Sequence, residues 1–503
     1  MKRYVIFMLV LVIPFGVTRA QKAKLSSLKV LFVGYNPAKP MPTFEAGRMG
    51  PGGLSEAGFK AEYPIRMPAF KQLLSNYFST VKTMDVREWK TTDSEAYDVT
   101  IFDFPTKEIE PMINEVGADG KRVYKPAKYL PDDFSKPVVF IASTADQMGR
   151  GIGLKIDWLC LCLDADAHHV NSTHAIFKGP LEKVSPTFVN KPTPEGVFHY
   201  ASGANIPKEI PMWRVDKTGY LDARDARVGL VARGNRFSES PDTEMISSGV
   251  CQKDVGAVAL GRHGNFFLWG FGASPAGMTE QGKKVFVNTV AYMAKFNGRT
   301  PIARKYNDRM ATTDDVREIV AGANKRTYDD YVVSMTSFNK QNAETMKRIQ
   351  AKKASGEKLT AEEEQQLMYA GREQKIEDWE AFIKRRMGKL AAQFGTDAEA
   401  YQKYMNENID YIYCDPNEFF TYTIDEDVRQ IGISNHDVKL LDACIAMLKK
   451  GDRSDLALRV LKRYTAKDFT TAKDWENWLS KNRKKLFFTE TDGYRFMVDT
   501  YSL

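Results

Sequence analysis
The sequence predicts an α/β domain built on a doubly wound, mostly parallel sheet, followed by a mainly α-helical domain. Three observations carry this. From Leu28 to about Phe296 the apolar runs are short, rich in β-branched and aromatic residues, and separated by loops and helical stretches. Beyond Asn297 glycine becomes sparse, charge rises and a helical period dominates to about residue 480. The chain has 503 residues, 43% hydrophobic and 27% charged, which suffices for two or three folded units and lies far from the composition of disordered chains.

The elements follow in order. Leu28 to Tyr35 is the clearest strand, and a Pro- and Gly-rich loop over 36–64 leads to a helix, about Met67 to Phe78, with Phe70, Leu73, Leu74, Tyr77 and Phe78 on one face. Val81 to Val86, Tyr97 to Phe104 and Lys136 to Ser143 read as the second, third and fourth strands. Gly151 to Leu163 reads as a helix leading into another strand, and Arg227 to Ala232 is a further short one. Gly256 to Gly270 has the form of a hairpin, two apolar runs around His263-Gly264-Asn265. A helix from roughly Thr279 to Phe296, with Val285, Phe286, Val290 and Met293 inward, closes the domain, which spans residues 21–297.

In the second domain, 298–503, residues 313–353 and 360–394 have the pattern of a long helical hairpin, with Thr360 and Glu363 as a capping box. Residues 424–485 read as shorter packed helices, and Leu486 to Val498 alternates as a small β-hairpin turning at Asp492-Gly493.

Residues 1–20 have the form of a secretory leader. Lys2 and Arg3 precede an apolar run from Val5 to Phe15, and cleavage is expected near Ala20/Gln21, leaving a periplasmic or secreted protein. That run is shorter than the roughly 20 residues a bilayer span needs, and no later segment reaches that length, so no membrane span is expected. The first cysteine is Cys160, far from the cleavage point, which disfavours a lipid anchor. Five cysteines are too few for a disulfide framework, and Cys160 and Cys162 in the apolar run Trp158 to Leu163 read as small core residues. The formal charge of +8 is spread evenly without a basic run, so no nucleic-acid partner is expected.

Ligands of open α/β sheets bind outside the carboxyl ends of the strands. Tyr35 and Asn36 after the first strand, Asp103 at the end of the third, and Ser143, Thr144, Asp146 and Gln147 after the fourth are placed to face such a crevice. Asp103 or Asp146 as a general base, with His199 or His263 nearby, would suit proton transfer on a sugar. The same residues equally fit loop caps and turns. Tyr200, Trp213, Trp269 and Phe271 are candidates for stacking on sugar faces, against the alternative of ordinary core packing. Four of the six histidines, His168, His169, His174 and His199, fall within about thirty residues beside Asp164 and Asp166. Imidazole and carboxylate are usual ligands of zinc-type ions, which makes His168, His169, His174 and Asp166 a candidate divalent-metal set. Their spacing matches no strong metal signature, and the competing reading has His174 opening a turn while His168 or His169 lies at the surface. No cofactor is required by any motif. Met148 to Gly153 carries a lone Gly-x-Gly without nucleotide-binding spacing. Trp475 to Trp478 in the helical domain fits packing or a protein-partner surface.

Taken together and in order, Leu28 to Tyr35, Tyr97 to Phe104, Lys155 to Leu159, Thr173 to Pro180, and Gly261 to Ala273 with the helix after it resemble the trehalose-utilisation ThuA-like family, of the class I glutamine amidotransferase-like fold. The resemblance covers about residues 28–297. It implies a flavodoxin-like sheet, a ligand site at the strand carboxyl ends and a link to carbohydrate metabolism. Amidotransferases of this fold place a Cys on a strand-to-helix elbow, whereas the turn here, Ser143 to Gln147, has none, and Trp269 to Gly272 stands where ThuA-like proteins tend to carry Gly-His. Glutamine hydrolysis is therefore not expected. Two functions remain: an exported protein that binds or modifies a sugar or keto-sugar at the strand ends, or a non-catalytic binding or scaffold protein that retains the fold without its catalytic residues.

Overall fold
The computed structural model describes residues 25–501 apart from 44–50, 117–121, 157–158, 195, 198–205, 224, 303–309, 360–362, 364–373 and 416–419. The expected leader, His199, Tyr200, Trp158 and Thr360 lie outside the described residues.

The first part is an α/β unit around one large mixed sheet. Its strands are β1 (Ser26–Gly34), β2 (Phe78–Asp85), β3 (Val99–Phe102), β6 (Val138–Ile141), β7 (Leu159–Leu163), β8 (Asp166–His168), β9 (Phe188–Pro192), β10 (Glu209–Arg214), β11 (Gly229–Ala232), β12 (Thr243–Gly249), β13 (Val258–His263) and β14 (Phe266–Trp269), while β4 (Ile113–Val116) and β5 (Arg122–Lys125) form a separate hairpin inserted after β3. The path runs β2-β1-β3-β6-β14-β13-β12-β8-β10-β9, with β11 bridging β13 to β7. β2, β1, β3, β6 and β14 are mutually parallel; from β14 onward neighbours are antiparallel.

The parallel strands bury both faces. Along β1, Val30 and Phe32 enter one core while Leu31 and Val33 enter the other, and β6 divides Val139 and Ile141 from Val138 and Phe140 in the same way. Continuous apolar runs of this kind are what a sheet covered on both sides requires. One face is covered by α2 (Arg66–Ser75), through Met67, Phe70, Leu73 and Leu74, and by α3 (Glu280–Met293), through Val285, Phe286, Val290 and Met293. Thr279 caps α3 by accepting from the Gly282 N–H at 3.0 Å. The other face is covered by α1 (Glu56–Glu62) and by tight turns after β6. The β13–β14 hairpin forms at its expected turn, whereas the helix expected from Gly151 shrinks to one turn before β7.

Cys160 and Cys162 correct their reading as two core thiols: they are joined in a disulfide, with Cys160 buried in the core and Cys162 packed at its margin.

The second part is mainly helical: α4 (Thr313–Ala321), α5 (Lys325–Ala354), α6 (Trp379–Met387), α7 (Ala398–Glu407), α8 (Glu426–Ile431), α9 (Lys439–Lys450), α10 (Ser454–Thr465) and α11 (Ala472–Asn482), with a bridge between β15 (Ile412–Tyr413) and β16 (Thr423–Ile424). The hairpin β17 (Leu486–Thr489) and β18 (Arg495–Val498) follows, as its alternation predicts. The expected continuous helix over 313–353 divides at Gly322–Asn324, where Asn324 caps α5 through the Thr327 N–H. This part has its own core, drawn from Met310 to Phe496 and including Leu440, Leu441, Cys444, Val460, Leu461, Tyr464 and Trp475.

The two parts meet at a polar seam. The Glu239 carboxylate accepts from the Glu490 N–H at 2.7 Å, the Thr491 N–H at 3.1 Å and the Thr489 and Thr491 hydroxyls. Arg236 pairs with Asp314 and Arg233 with Asp315. The Tyr501 hydroxyl sits 3.0 Å from the Gly264 carbonyl oxygen, at the turn before β14. Phe266 pairs with Val138, so that turn lies where the parallel strands begin. The helical part thus anchors Tyr501 at the end of the sheet opposite the predicted crevice.

Candidate functional site: a sealed strand-end crevice
Beyond the carboxyl ends of β1 and β3 the chain places Tyr35 and Asp103, and α1 and α2 contribute Phe59, Glu62, Tyr63 and Arg66. Asp103 is 1% exposed and held by two guanidinium groups. Arg66 donates through Nε to Oδ2 at 2.7 Å and through Nη2 to Oδ1 at 2.8 Å, while Arg227 donates from Nη1 to Oδ1 at 2.7 Å. Arg227 also bonds the Asp103 carbonyl oxygen at 2.8 Å and that of Gly52 at 2.9 Å. Gly52 has φ 69°, and a Cβ there would lie 2.7 Å from Arg227 Nη2, so this close approach requires glycine. Arg66 completes its bonds with Glu62 at 3.1 Å and the Gly272 carbonyl oxygen at 2.9 Å. The Phe104 ring lies under Arg227 at 4.6 Å.

Burial by itself would raise the Asp103 pKa, but Arg66 and Arg227 outweigh it and hold the carboxyl below the usual range. This corrects the general-base reading of Asp103, because a carboxylate held in its charged form by two arginines lacks the basicity to take a proton from a substrate. The remaining space, bounded by Tyr35, Phe59, Tyr63 and Phe104, is ≈ 10 Å³, about what one water needs. Among the described residues this space does not hold a sugar.

The residues of the turn after β6 differ in their partners. Ala142, with φ 49°, is the strained residue at the strand-to-turn elbow, and its side chain is a methyl group. Thr144 donates to backbone carbonyl oxygens of Ile141 and Phe102 at 2.5 and 3.1 Å, so it braces the turn and is not a ligand contact. The Ser143 hydroxyl is buried and makes no hydrogen bond among the described residues. Burial raises the Asp146 pKa against the opposing pull of Arg150, 3.4 Å away. Gln147 is exposed. Asn36 closes its own turn, accepting from the Ala38 N–H at 3.0 Å. Of the predicted crevice residues, the pocket joins Tyr35 and Asp103 alone.

Trp269 and Phe271 are fully buried, which corrects their reading as stacking platforms: both pack in the core against α3 and present no ring face to a ligand. Trp213 is likewise core.

The described histidines of the cluster, His168, His169 and His174, have local partners. Asp166, on β8, is paired with Lys191 at 2.8 Å and Arg214 at 3.2 Å. His168 Nδ1 lies 2.7 Å from His169 Nδ1, and burial, then its neighbour's charge, lower the His168 pKa to about 4. His174 caps a single helical turn, Ala175–Lys178, by accepting from the Ile176 N–H at 3.4 Å, and its Nε2 lies 3.4 Å from Glu244. Among the described residues no group of three or more His, Cys, Asp or Glu is placed to hold a metal ion. The candidate metal set His168, His169, His174 and Asp166 therefore does not converge, because Asp166 is spent on cations and His174 on a cap. His263 is buried at the amino end of β14, 3.6 Å from Asp242, which removes it as a partner for Asp103 or Asp146.

Sequence reasoning missed Arg66, Arg227 and Asp216. Arg66 had a legible signal: it stands four residues before Phe70, on the buried stripe of α2. Asp216 accepts from the Ala273 N–H at 3.2 Å, and burial pushes its pKa up to about 7 despite that bond and Arg66. Among the described residues no helix is long and apolar enough to cross a membrane. No protein-family model, curated protein or solved structure matches the chain.

Proposed function
We propose that the protein is an exported, non-catalytic binding or scaffold protein that keeps a ThuA-like, flavodoxin-like framework and has converted the family's strand-end site into core. The observation that carries this is the Asp103 carboxylate clamped between Arg66 and Arg227 beside a space of ≈ 10 Å³. The parallel strand order β2-β1-β3-β6-β14 supports the flavodoxin-like reading, since it follows the 2-1-3-4-5 order of that doubly wound class. Alanine at the strained elbow supports the absence of nucleophilic chemistry, because a methyl group can neither attack nor be activated. The Cys160–Cys162 disulfide supports export, as such bonds persist in oxidising compartments. In this reading the α/β part is the frame and the helical part carries the partner surface.

The test is a thermal-shift screen of the chain against mono- and disaccharides, their keto and acid derivatives, and divalent metals with a chelator control. A ligand at 100 times its Kd stabilises by about 2.7 kcal/mol. No ligand-specific shift is expected. A sugar-specific shift that Asp103→Asn abolishes overturns the proposal and restores the carbohydrate-site reading.

A further inference from the structure
The Cys160–Cys162 disulfide closes a loop with a single residue, Leu161, inside it. A cross-link stabilises a fold by restricting the unfolded chain, and that restriction grows with the length of the loop it closes. This loop is among the shortest a disulfide can close, and both of its ends already lie on β7, which β11 holds in the sheet. The bond therefore ties no two elements together, and stapling of the fold does not account for it.

Its setting leaves one sulfur within reach. Among the described residues β7 pairs with β11 alone, so its other side is a sheet edge. Between the pairs Val231–Cys160 and Gly229–Leu163 the register advances three residues on β7 against two on β11, which places a bulge at Leu161–Cys162. Bulges turn side chains out of the regular alternation of a strand. Leu161 is 46% exposed and Cys162 is half-buried, whereas Cys160 packs in the core. Cys162 is thus the sulfur that an incoming thiolate meets. The free thiols Cys251, Cys414 and Cys444 are all buried.

We propose that Cys160–Cys162 is a reversible two-electron redox site that exchanges with a dithiol. A thiolate of the dithiol attacks Cys162 Sγ and forms a mixed disulfide; the Cys160–Cys162 bond breaks, and Cys160 leaves as a thiolate that takes up a proton. The second thiolate of the dithiol then attacks its own partner sulfur in the mixed disulfide, releasing Cys162 as a thiolate that is protonated in turn. The dithiol is oxidised to a disulfide, and the two electrons and two protons it gives up reside on Cys160 and Cys162. A dithiol suits a bond whose inner sulfur is buried, because its second thiol is already beside the mixed disulfide and no further molecule has to enter. The site uses none of the crevice residues and goes beyond the scaffold reading, to which it adds a second oxidation state.

The experiment treats the folded full chain with dithiothreitol, quenches it in acid, and counts thiols after denaturation. The count should rise from three to five without denaturant, return to three with oxidised glutathione, and leave the melting temperature of the reduced chain within about 5 °C of the oxidised one. The reacting sulfur is identified with single variants and an aromatic disulfide reagent. Cys160→Ser, which frees Cys162, should release thionitrobenzoate in the folded state at least tenfold faster than Cys162→Ser, which frees only the buried Cys160. A bond that resists reduction until the chain is denatured, a larger fall in melting temperature on reduction, or equal or reversed rates in the two variants each overturns the proposal. A sugar-specific thermal shift would strike the scaffold reading and leave this site standing.

Discussion
The strand-end crevice and the helical groove are both concave and both lined with aromatic rings, yet they handle charge in opposite ways. In the crevice Arg66 and Arg227 face inward and are consumed by Asp103, Glu62 and carbonyl oxygens. At the groove of the helical part, bounded by His436 and the β17–β18 hairpin, the neighbouring Arg483, Lys484 and Lys485 are exposed, and Arg483 pairs with Asp442. A buried cation must be compensated within the fold, whereas an exposed one remains free to meet a partner's charge. The comparison teaches that polar residues gathered at strand ends are no sign of a site until their partners are known. Here the carboxylate expected to be functional, Asp103, is held by two guanidinium groups.

The most direct way to break this contrast is Asp103→Ala. If the carboxylate is structural, its loss strands two buried guanidinium groups and should cost about 3–5 kcal/mol in chemical denaturation. Stability close to wild type would mean that the crevice tolerates loss of its anion and is functional after all. The sign with pH follows from the lowered pKa: the Asp103 contribution is present above the unfolded value of about 3.9 and is lost as pH falls through its lower folded value.

Asp216 sharpens the contrast in the opposite direction. Its folded pKa is raised to about 7, so between about pH 4 and 7 the folded state holds a proton that the unfolded state has released, and stability falls as pH rises, by at most about 1.4 kcal/mol per unit. Denaturation midpoints at pH 5 and 7.5 should show this fall in the wild type and a flatter profile in Asp216→Asn. A wild-type profile without that slope would show that Asp216 is ionised in the fold.

At the seam, Glu239→Ala leaves the Glu490 and Thr491 N–H groups without their acceptor and should cost about 1–3 kcal/mol. Limited proteolysis between the two parts should accelerate accordingly, and unchanged cleavage would show that Tyr501 and the Arg236–Asp314 pair suffice. The smallest effect is expected from Ser143→Ala. A buried hydroxyl without a partner is replaced by a methyl group at a cost within about 0.5 kcal/mol, or with a slight gain. A loss of 2 kcal/mol or more, on this scale about that of a broken buried bond, would reveal an interaction that the folded chain hides.

Much of the framework was legible. β1, β3, β6 and the β13–β14 hairpin lie where apolar runs and turn residues place them; α3 buries the face read from its periodicity, and α2 buries Phe70, Leu73 and Leu74 but ends at Ser75, so that Tyr77 falls in the turn and Phe78 begins β2. The antiparallel extension through β12, β8, β10 and β9 was not, because its strands are short and carry polar residues such as Asp166, His168 and Lys191 that pair across the sheet. The histidines misled for a related reason. Proximity in sequence brought His168, His169 and His174 together on paper, while in the fold His168 and His169 meet each other and the turn at Ala175 sends His174 to the Ile176 N–H and Glu244.

The sequence by itself determined the two-part character, the elements with strong periodicity and the apolar residues that become core, since burial of a repeating face is a property of consecutive residues. Only the tertiary structure decided the fate of the charges. Asp103 meets Arg66 at a separation of 37 residues and Arg227 at 124, and no local pattern encodes that meeting. It follows from strand order, which sets β1 beside β3 and brings the segment before β11 over their ends. Whether a carboxylate is a base or a structural anion depends on what lies within about 3 Å of it, and that distance is fixed by packing across the whole domain.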